Sequence, residues 1–399
     1  MRTVAVTRPS VAPARRFEEA LADATALASF SPSSHNCQPW RLARADSPGA
    51  REAAARFLGM GDEAGTEYVI LALDRGRELR ALAAHAMEMH VSCGAYWRLL
   101  RRALAAQGWA ARQVRAVEVL PEPVPFAARW PSDWSPLCVA ALRRDRPSGE
   151  GIDDLWALAR GRRTHRGPYR NTALDDGTLG ELARTVAVPV RADDPKGAEK
   201  GGVTVRHLTS SPERSLFADF LASHAGRDFS HPAAWRETHA YVRWNAAEAR
   251  RHGDGFTAAQ LFGPLTPLQY LGKRLTLAPP VMRLLCLAGF HHRLAAELAG
   301  HVRLRTPAVV VLGFTRESPG VAGQLRGGEL LLDYWLAATE AGLALNPLSI
   351  VVQHDDLRRD LKALLGLAGR PFFVSRLGVP STPAPASFRR PDSAGIRLI

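Results

Sequence analysis

Residues 31–40 read Ser-Pro-Ser-Ser-His-Asn-Cys-Gln-Pro-Trp, a stretch whose side chains suit it to gripping a polar, flat molecule. Pro32 and Pro39 restrict φ and lower the entropy of the loop, while Ser33, Ser34, Asn36 and Gln38 supply neutral donors and acceptors that need no counterion. A heteroaromatic ring with carbonyl and ring-nitrogen edges fits that chemistry; a Ser/Asn-rich turn capping the preceding helix fits the same composition. A second stretch, 160–170, places five arginines and Thr164 within eleven residues. Guanidinium forks give bidentate, charge-assisted hydrogen bonds, so this run suits a phosphate dianion; a solvated basic turn at the end of a helix near 153–161 is the other reading.

The first loop resembles the Pro-Ser-x-x-Asn-x-Gln-Pro-Trp element of the nitroreductase superfamily, matching at Pro32, Ser33, Asn36, Gln38, Pro39 and Trp40. The resemblance implies that this loop lies against FMN, with Ser33, Ser34 and Asn36 in contact with it. Arg162-Arg163-Thr164-His165-Arg166 is similar to the family's Arg-x-Ser/Thr-x-Arg/Lys signature. By that resemblance Arg162 and Thr164 serve the ribityl phosphate, Arg163 stands within the same cofactor-binding signature, and Arg166 faces N1 and O2 of the ring. A fixed cation there raises the potential of the flavin. A basic residue near the end of many family members closes on the same phosphate, a role that falls to Arg389 or Arg390. The family's backbone amide near N5 maps closest to Leu348 and Ser349. This chain departs there from the family's acidic–glycine pair, which leaves open NAD(P)H as reductant.

The order of the motifs is inverted relative to ordinary nitroreductases, since the Ser-Asn-Gln-Pro-Trp loop precedes the arginine signature by about 130 positions. That order resembles the Acg-like branch, in which two nitroreductase-like halves are fused in one chain. The resemblance implies an α+β, nitroreductase-like fold: a mixed, mainly antiparallel sheet flanked by helices, with pseudo-two-fold halves at 16–150 and 151–399. An apolar, aromatic, proline-broken insertion at about 256–296 reads as a lid over the flavin or as an arm extending the interface between the halves. The implied activity is hydride transfer between flavin N5 and a small organic molecule, by nitro, quinone or ene reduction or by dehydrogenation of a biosynthetic intermediate. No acid or base is assigned. An FMN-sequestering storage protein is the competing reading, and the fused halves allow a monomer.

Composition narrows the remaining classes. The formal charge of +13 suggests a nucleic-acid binder, yet only Lys196, Lys200, Lys273 and Lys362 are lysines, and 48 arginines are scattered through the chain. No helix-turn-helix, zinc-finger or RNA-binding aromatic signature accompanies them, so no nucleic-acid partner is expected. Cys37, Cys93, Cys138 and Cys286 show no CxxC pairing and no metal-ligand spacing, which points to reduced thiols in the cytoplasm, no metal, and a space-filling Cys37. The most apolar segment, 275–290, is interrupted by two prolines and Arg283 and falls short of the roughly 20 residues a membrane span requires, so no membrane anchor is expected. Gly253-x-Gly255-x-x-Ala258 follows a helix rather than a strand and is rejected as a dinucleotide fingerprint. No Gly-x-Ser-x-Gly is present, against a triad hydrolase.

The elements that must position these motifs follow from periodicity. A helix over 16–29 leads into the loop. Apolar residues recur at three and four from Leu79 to Leu104, predicting a long helix over Arg75–Gln107, and a matching one over Arg326–Leu343. Strands are expected at 114–120, 137–142, 203–208, 308–314, 346–352 and 372–377, helices near 153–161 and 175–185, and a helix ending in a glycine turn before Gly255.

Overall fold

In a computed structural model the described residues are 16–118, 130–187 and 202–399. All but the last residue of the Gly/Lys/Asp-rich patch at 192–202 lies outside them, as does most of the proline-rich 121–136 segment. The first helix, Phe17–Ala28, delivers the chain into the Ser-Asn-Gln-Pro-Trp loop, from which β1 (Trp40–Arg44) departs. Strands β2 (Glu67–Asp74), β3 (Trp109–Ala116) and β4 (Trp134–Arg144) follow; β5 (Val203–Leu208) opens a second sheet. Two short strands, β6 (Val242–Arg243) and β7 (Phe256–Thr257), pair in parallel, and then come β8 (Ala308–Phe314), β9 (Ala344–Pro347), β10 (Arg370–Gly378) and β11 (Ile396–Leu398).

The expected α+β architecture is present, divided between two sheets. One runs β11-β1-β2-β4-β3, antiparallel except for β1 with β11, where Leu42 pairs Ile396. The other runs β5-β8-β10-β9 and is antiparallel throughout. Both bury two faces. On β2, Val69, Leu71 and Leu73 enter the core around the long helix, whereas Tyr68 and Ile70 pack on the other side with the Pro48–Leu58 helix. On β8, Ala308, Val310 and Leu312 face one core and Val309 and Val311 another, so strands that read as continuous apolar runs are explained by helices on both faces.

Between the sheets lie two central helices, Ala84–Ala106 and Val321–Glu340. They approach closely through reciprocal notches. A Cβ on Gly94 would stand 2.1 Å from the Leu325 carbonyl oxygen, and one on Gly328 would stand 2.0 Å from that of Val91. The first of these central helices is buried without interruption from Val91 to Trp97, beyond the single apolar stripe that its spacing predicts, because a helix and a sheet cover it from both sides.

Several boundaries differ from those predicted. The first long helix starts at Ala84 instead of Arg75. Asp74 accepts the Gly76 N–H at 3.0 Å to close a tight turn, and Glu237, from the distant helix Pro232–His239, accepts the Arg80 N–H at 2.7 Å, so side chains take the N–H groups that a helix here would use. The second long helix runs Val321–Glu340, shifted toward the N-terminus because the Glu118 carboxylate receives the Val321 and Ala322 N–H groups at 2.8 and 2.9 Å. The strand predicted at 346–352 ends at Pro347 and gives way to a short helix, Ile350–Gln353. The strand predicted at 114–120 is β3, which ends at Ala116; its last two predicted positions lie outside the described residues. The glycine turn is found at Gly253, which ends the helix Ala246–His252.

Candidate functional site

The loop at 31–38 adopts an unusual backbone. His35, Asn36 and Gln38 have φ of 51°, 53° and 52°, a left-handed conformation that costs non-glycine residues about 1–2 kcal/mol each. The side chains show what holds it. Gln38 is buried and donates to Gly253 O at 2.8 Å and Asn36 O at 3.1 Å, while its own oxygen accepts the Arg390 N–H at 3.0 Å. Asn36 donates to Gly255 O and Phe388 O, each at 3.1 Å, and accepts from Arg389 Nη1 at 2.9 Å. Ser33 Oγ accepts the Gln38 N–H at 3.0 Å. The amides and hydroxyl of this loop therefore tie it to the 253–255 turn and to the C-terminal segment.

A cleft enclosing about 1360 Å³ of empty space, open mouth included, runs between this loop, the start of the first central helix, residues 162–166 and β10. Pro32, Ser33, Ser34 and Asn36 line one wall, and Arg162, Thr164 and Arg166 another. The arginine segment is positioned by backbone pairing: Thr164 bridges Leu345 of β9, and the His165 N–H is donated to Leu345 O at 2.9 Å. Apolar surface comes from Val91, Leu331, Trp335, Phe256, Phe372 and Val352.

The electrostatics of this cleft set it apart. Arg162 and Arg389 both donate to the Phe30 carbonyl, at 3.4 and 3.0 Å, and Arg162 lies over the Trp335 ring at 4.7 Å. Arg162 Nε and Nη1, Arg389 Nε and Trp335 Nε1 are buried with no hydrogen-bond partner among the described residues. Neither arginine, nor Arg166, forms an ion pair among those residues. Burial, with Arg389 and Arg163 close by, pushes Arg162 down to about 9, and burial pushes Arg389 and Arg166 down to about 10. Guanidiniums remain charged at neutral pH even so, and unmatched buried cations call for an anion. These vacant donors and the Thr164 hydroxyl fit a phosphate group, and the apolar walls fit a flat ring system.

The other positions separate clearly. Arg163 is part-buried and turns its guanidinium back to the carbonyls of Arg160 and Arg162. Arg390, read from the sequence as interchangeable with Arg389, is a structural residue: it pairs with Asp392 through Nε and Nη2 and donates to Gln38 O at 3.0 Å. Leu348 is buried, and its N–H is committed to Val374 O at 2.7 Å, which removes it as a ring-nitrogen donor; Ser349 lines the cleft. Cys37 is buried with its Sγ 3.8 Å from Met89 Sδ, and burial pushes its thiol up to about 12, consistent with space filling.

Two titratable groups in the cleft were not read from the sequence. Glu88 accepts from Ser34 Oγ at 2.6 Å and from Gln353 Nε2 at 2.7 Å, and burial raises its pKa above the usual carboxylate range. His35 contacts Ser34 Oγ at 3.1 Å and Thr238 Oγ1 at 3.0 Å; burial, with His85 and Arg166 nearby, pushes it down to about 3, so it is neutral. Glu88, Ser34, His35 and Thr238 thus form one hydrogen-bonded chain. An acid one position from the buried Met89 was the available signal for Glu88; His35 stood in the motif itself.

A curated protein of Serratia sp. (strain ATCC 39006), named "Probable NAD(P)H nitroreductase PigM", is 30% identical over 386 residues, 91% of this chain and 89% of that protein. The chain belongs to the nitroreductase family. A solved structure of a "putative nitroreductase" from Anabaena variabilis matches this nitroreductase-family chain over 90% of its length and 88% of that chain, at a TM-score of 0.50 and 10% identity, a likeness of fold. No family model matches the chain. Among the described residues no helix is long and apolar enough to cross a membrane, and no cluster of His, Cys, Asp and Glu could hold a metal.

Proposed function

We propose that this chain is an FMN-dependent oxidoreductase acting on a small organic substrate, with NAD(P)H as reductant. The observation that carries the reading is the unmatched guanidinium of Arg162 on the wall of an apolar-lined cleft, with that of Arg389 beside it on the same Phe30 carbonyl, in a chain of the nitroreductase family. When bound, FMN supplies two-electron transfer through N5, for reduction of a nitro, quinone or ene group or for dehydrogenation of a biosynthetic intermediate.

The chain's own residues do the rest. Arg162, Arg389 and Thr164 hold the phosphate, and Asn36 orients Arg389 through its 2.9 Å contact. Arg166, stacked over Phe256 at 5.4 Å, presents its charge to the pyrimidine edge. Pro32, Ser33 and Ser34 bound the ring on the loop side, and Ser349 offers the amide opposite. Glu88, whose burial favours its protonated form, heads the Ser34–His35 hydrogen-bonded chain along the cleft wall. We further propose halves at 16–150 and 151–399, a cytoplasmic location, and no nucleic-acid partner.

Phe256 and Gln260, at the start of the insertion, line the cleft, which supports reading that end as a lid, while its helices pack around Trp235 as an arm would; a lid also suits a storage protein that shields flavin from turnover. Purified protein should show the oxidised-flavin absorbance band, with FMN identified by mass spectrometry of the released compound. A colourless protein that takes up no FMN on reconstitution overturns the reading. Bound flavin that NADPH never reduces in the presence of a nitroaromatic selects storage.

A further inference from the structure

The insertion carries a surface that the redox reading leaves unused. From Gly255 to Ala296 the sequence holds no aspartate or glutamate, against Lys273, Arg274, Arg283 and Arg293. Two successive helices within it, Pro267–Leu277 and Pro279–Leu287, are joined by Ala278 alone. On the first, Leu268, Leu271 and Leu275 are 80%, 52% and 57% exposed, while Leu277, on the opposite side, is buried. On the second, Val281, Leu284 and Leu287 are 36%, 67% and 83% exposed, while Met282 is buried. The exposed leucines recur three and four positions apart, so each helix shows water a continuous apolar stripe and spends its inward face on the small cluster around Trp235.

Six large apolar side chains exposed along two adjoining helices exceed the scattered apolar residues of an ordinary surface. Arg274, Arg283 and Arg293 are exposed and form no ion pair among the described residues. An apolar stripe flanked by cations with no acid in the segment is the chemistry of a helix lying in the headgroup region of an anionic bilayer. Lying on a membrane differs from crossing one, and each helix is far too short to span.

We propose that the pair of helices at 267–287 docks this protein on an anionic lipid surface, with Leu268, Leu271, Leu284 and Leu287 entering the headgroup boundary and Arg274 and Arg283 meeting lipid phosphates. A second copy of the chain, the other occupant such a stripe admits, would need acidic residues facing the cations, and the segment has none to offer in return.

Full-length protein is co-sedimented with vesicles of phosphatidylcholine mixed with phosphatidylglycerol and with vesicles of phosphatidylcholine alone. Binding to the mixed vesicles should be at least about tenfold tighter and fall with added salt. Changing Leu268, Leu271, Leu284 and Leu287 to serine together should abolish it, with the melting temperature recorded alongside. Should that variant fail to fold, the surface pair Arg274→Glu with Arg283→Glu tests the same point and should weaken binding about tenfold or more. No binding to the mixed vesicles, equal binding to both kinds, or self-association in lipid-free buffer that the serine variant abolishes, would each overturn the proposal.

Discussion

Two groups of buried and half-buried arginines lie close together in this fold and are treated in opposite ways. Beside the 253–255 turn, Arg243 pairs with Asp254, which also receives Arg77, and Arg390 pairs with Asp392, which also receives Arg41. Across the strained loop, Arg162, Arg166 and Arg389 have no carboxylate partner among the described residues, and several of their N–H groups point at nothing. Burying an ion costs several kcal/mol unless a counter-charge offsets it, so the first group sustains the fold and the second burdens it until an anion arrives. The difference separates Arg389 from its neighbour Arg390, which no reading of the tail composition could do.

The comparison can be broken most severely at Asp254. Asp254→Ala strands Arg243 and Arg77, and should cost about 3–5 kcal/mol in chemical denaturation. Arg162→Met should act in the contrary direction: flavin occupancy falls by about tenfold or more, while the flavin-free protein gains about 1–2 kcal/mol by shedding an uncompensated charge. Flavin-free Arg162→Met melting well below flavin-free wild type would erase the distinction. Arg390→Ala should cost about 2 kcal/mol by removing the side-chain donor to Gln38 O and one of the two guanidiniums on Asp392, whereas Arg389→Ala should lower flavin occupancy with little change in the melt of the flavin-free protein.

The smallest effect belongs to Glu88. Its folded pKa is raised, so its neutral form stabilises the fold fully below the unfolded carboxylate value, about pH 4.3, and that contribution is lost as pH rises through the raised folded value. Glu88→Gln keeps a neutral partner for Ser34 and should flatten the decline in stability above the ordinary carboxylate range, by about 1 kcal/mol between acid and neutral melts. Parallel wild-type and variant melts across that range would refute the assignment.

The two motifs were legible because their chemistry is local: prolines brace a turn and clustered guanidiniums advertise an anion. The strained φ at His35, Asn36 and Gln38 was not, since those values are enforced by Gly253, Gly255 and Arg390, more than 200 residues away. Glu88 reads as the solvent side of an amphipathic helix; it is half-buried in the cleft wall, where Gln353, 265 residues further on, donates to it. The strands were recognisable one by one, yet their division into two sheets depends on pairings between distant segments, and β11 is only three residues long. Leu348 and Ser349 differ by one residue at the end of β9, where the strand's hydrogen bonding claims one amide and spares the other.

The pairing of β11 with β1 joins Leu42 to Ile396, and the segment leading to β11 brings Arg389 beside Arg162. On the ribosome, a nascent polypeptide would therefore carry its Ser-Asn-Gln-Pro-Trp turn through about 350 further residues before the last of its braces is made. Contacts of such large sequence separation fold slowly. Cofactor loading on the proposed site must then wait until that segment has been made, and a chain truncated before residue 389 would leave the cell with polypeptide that can be made but cannot be charged.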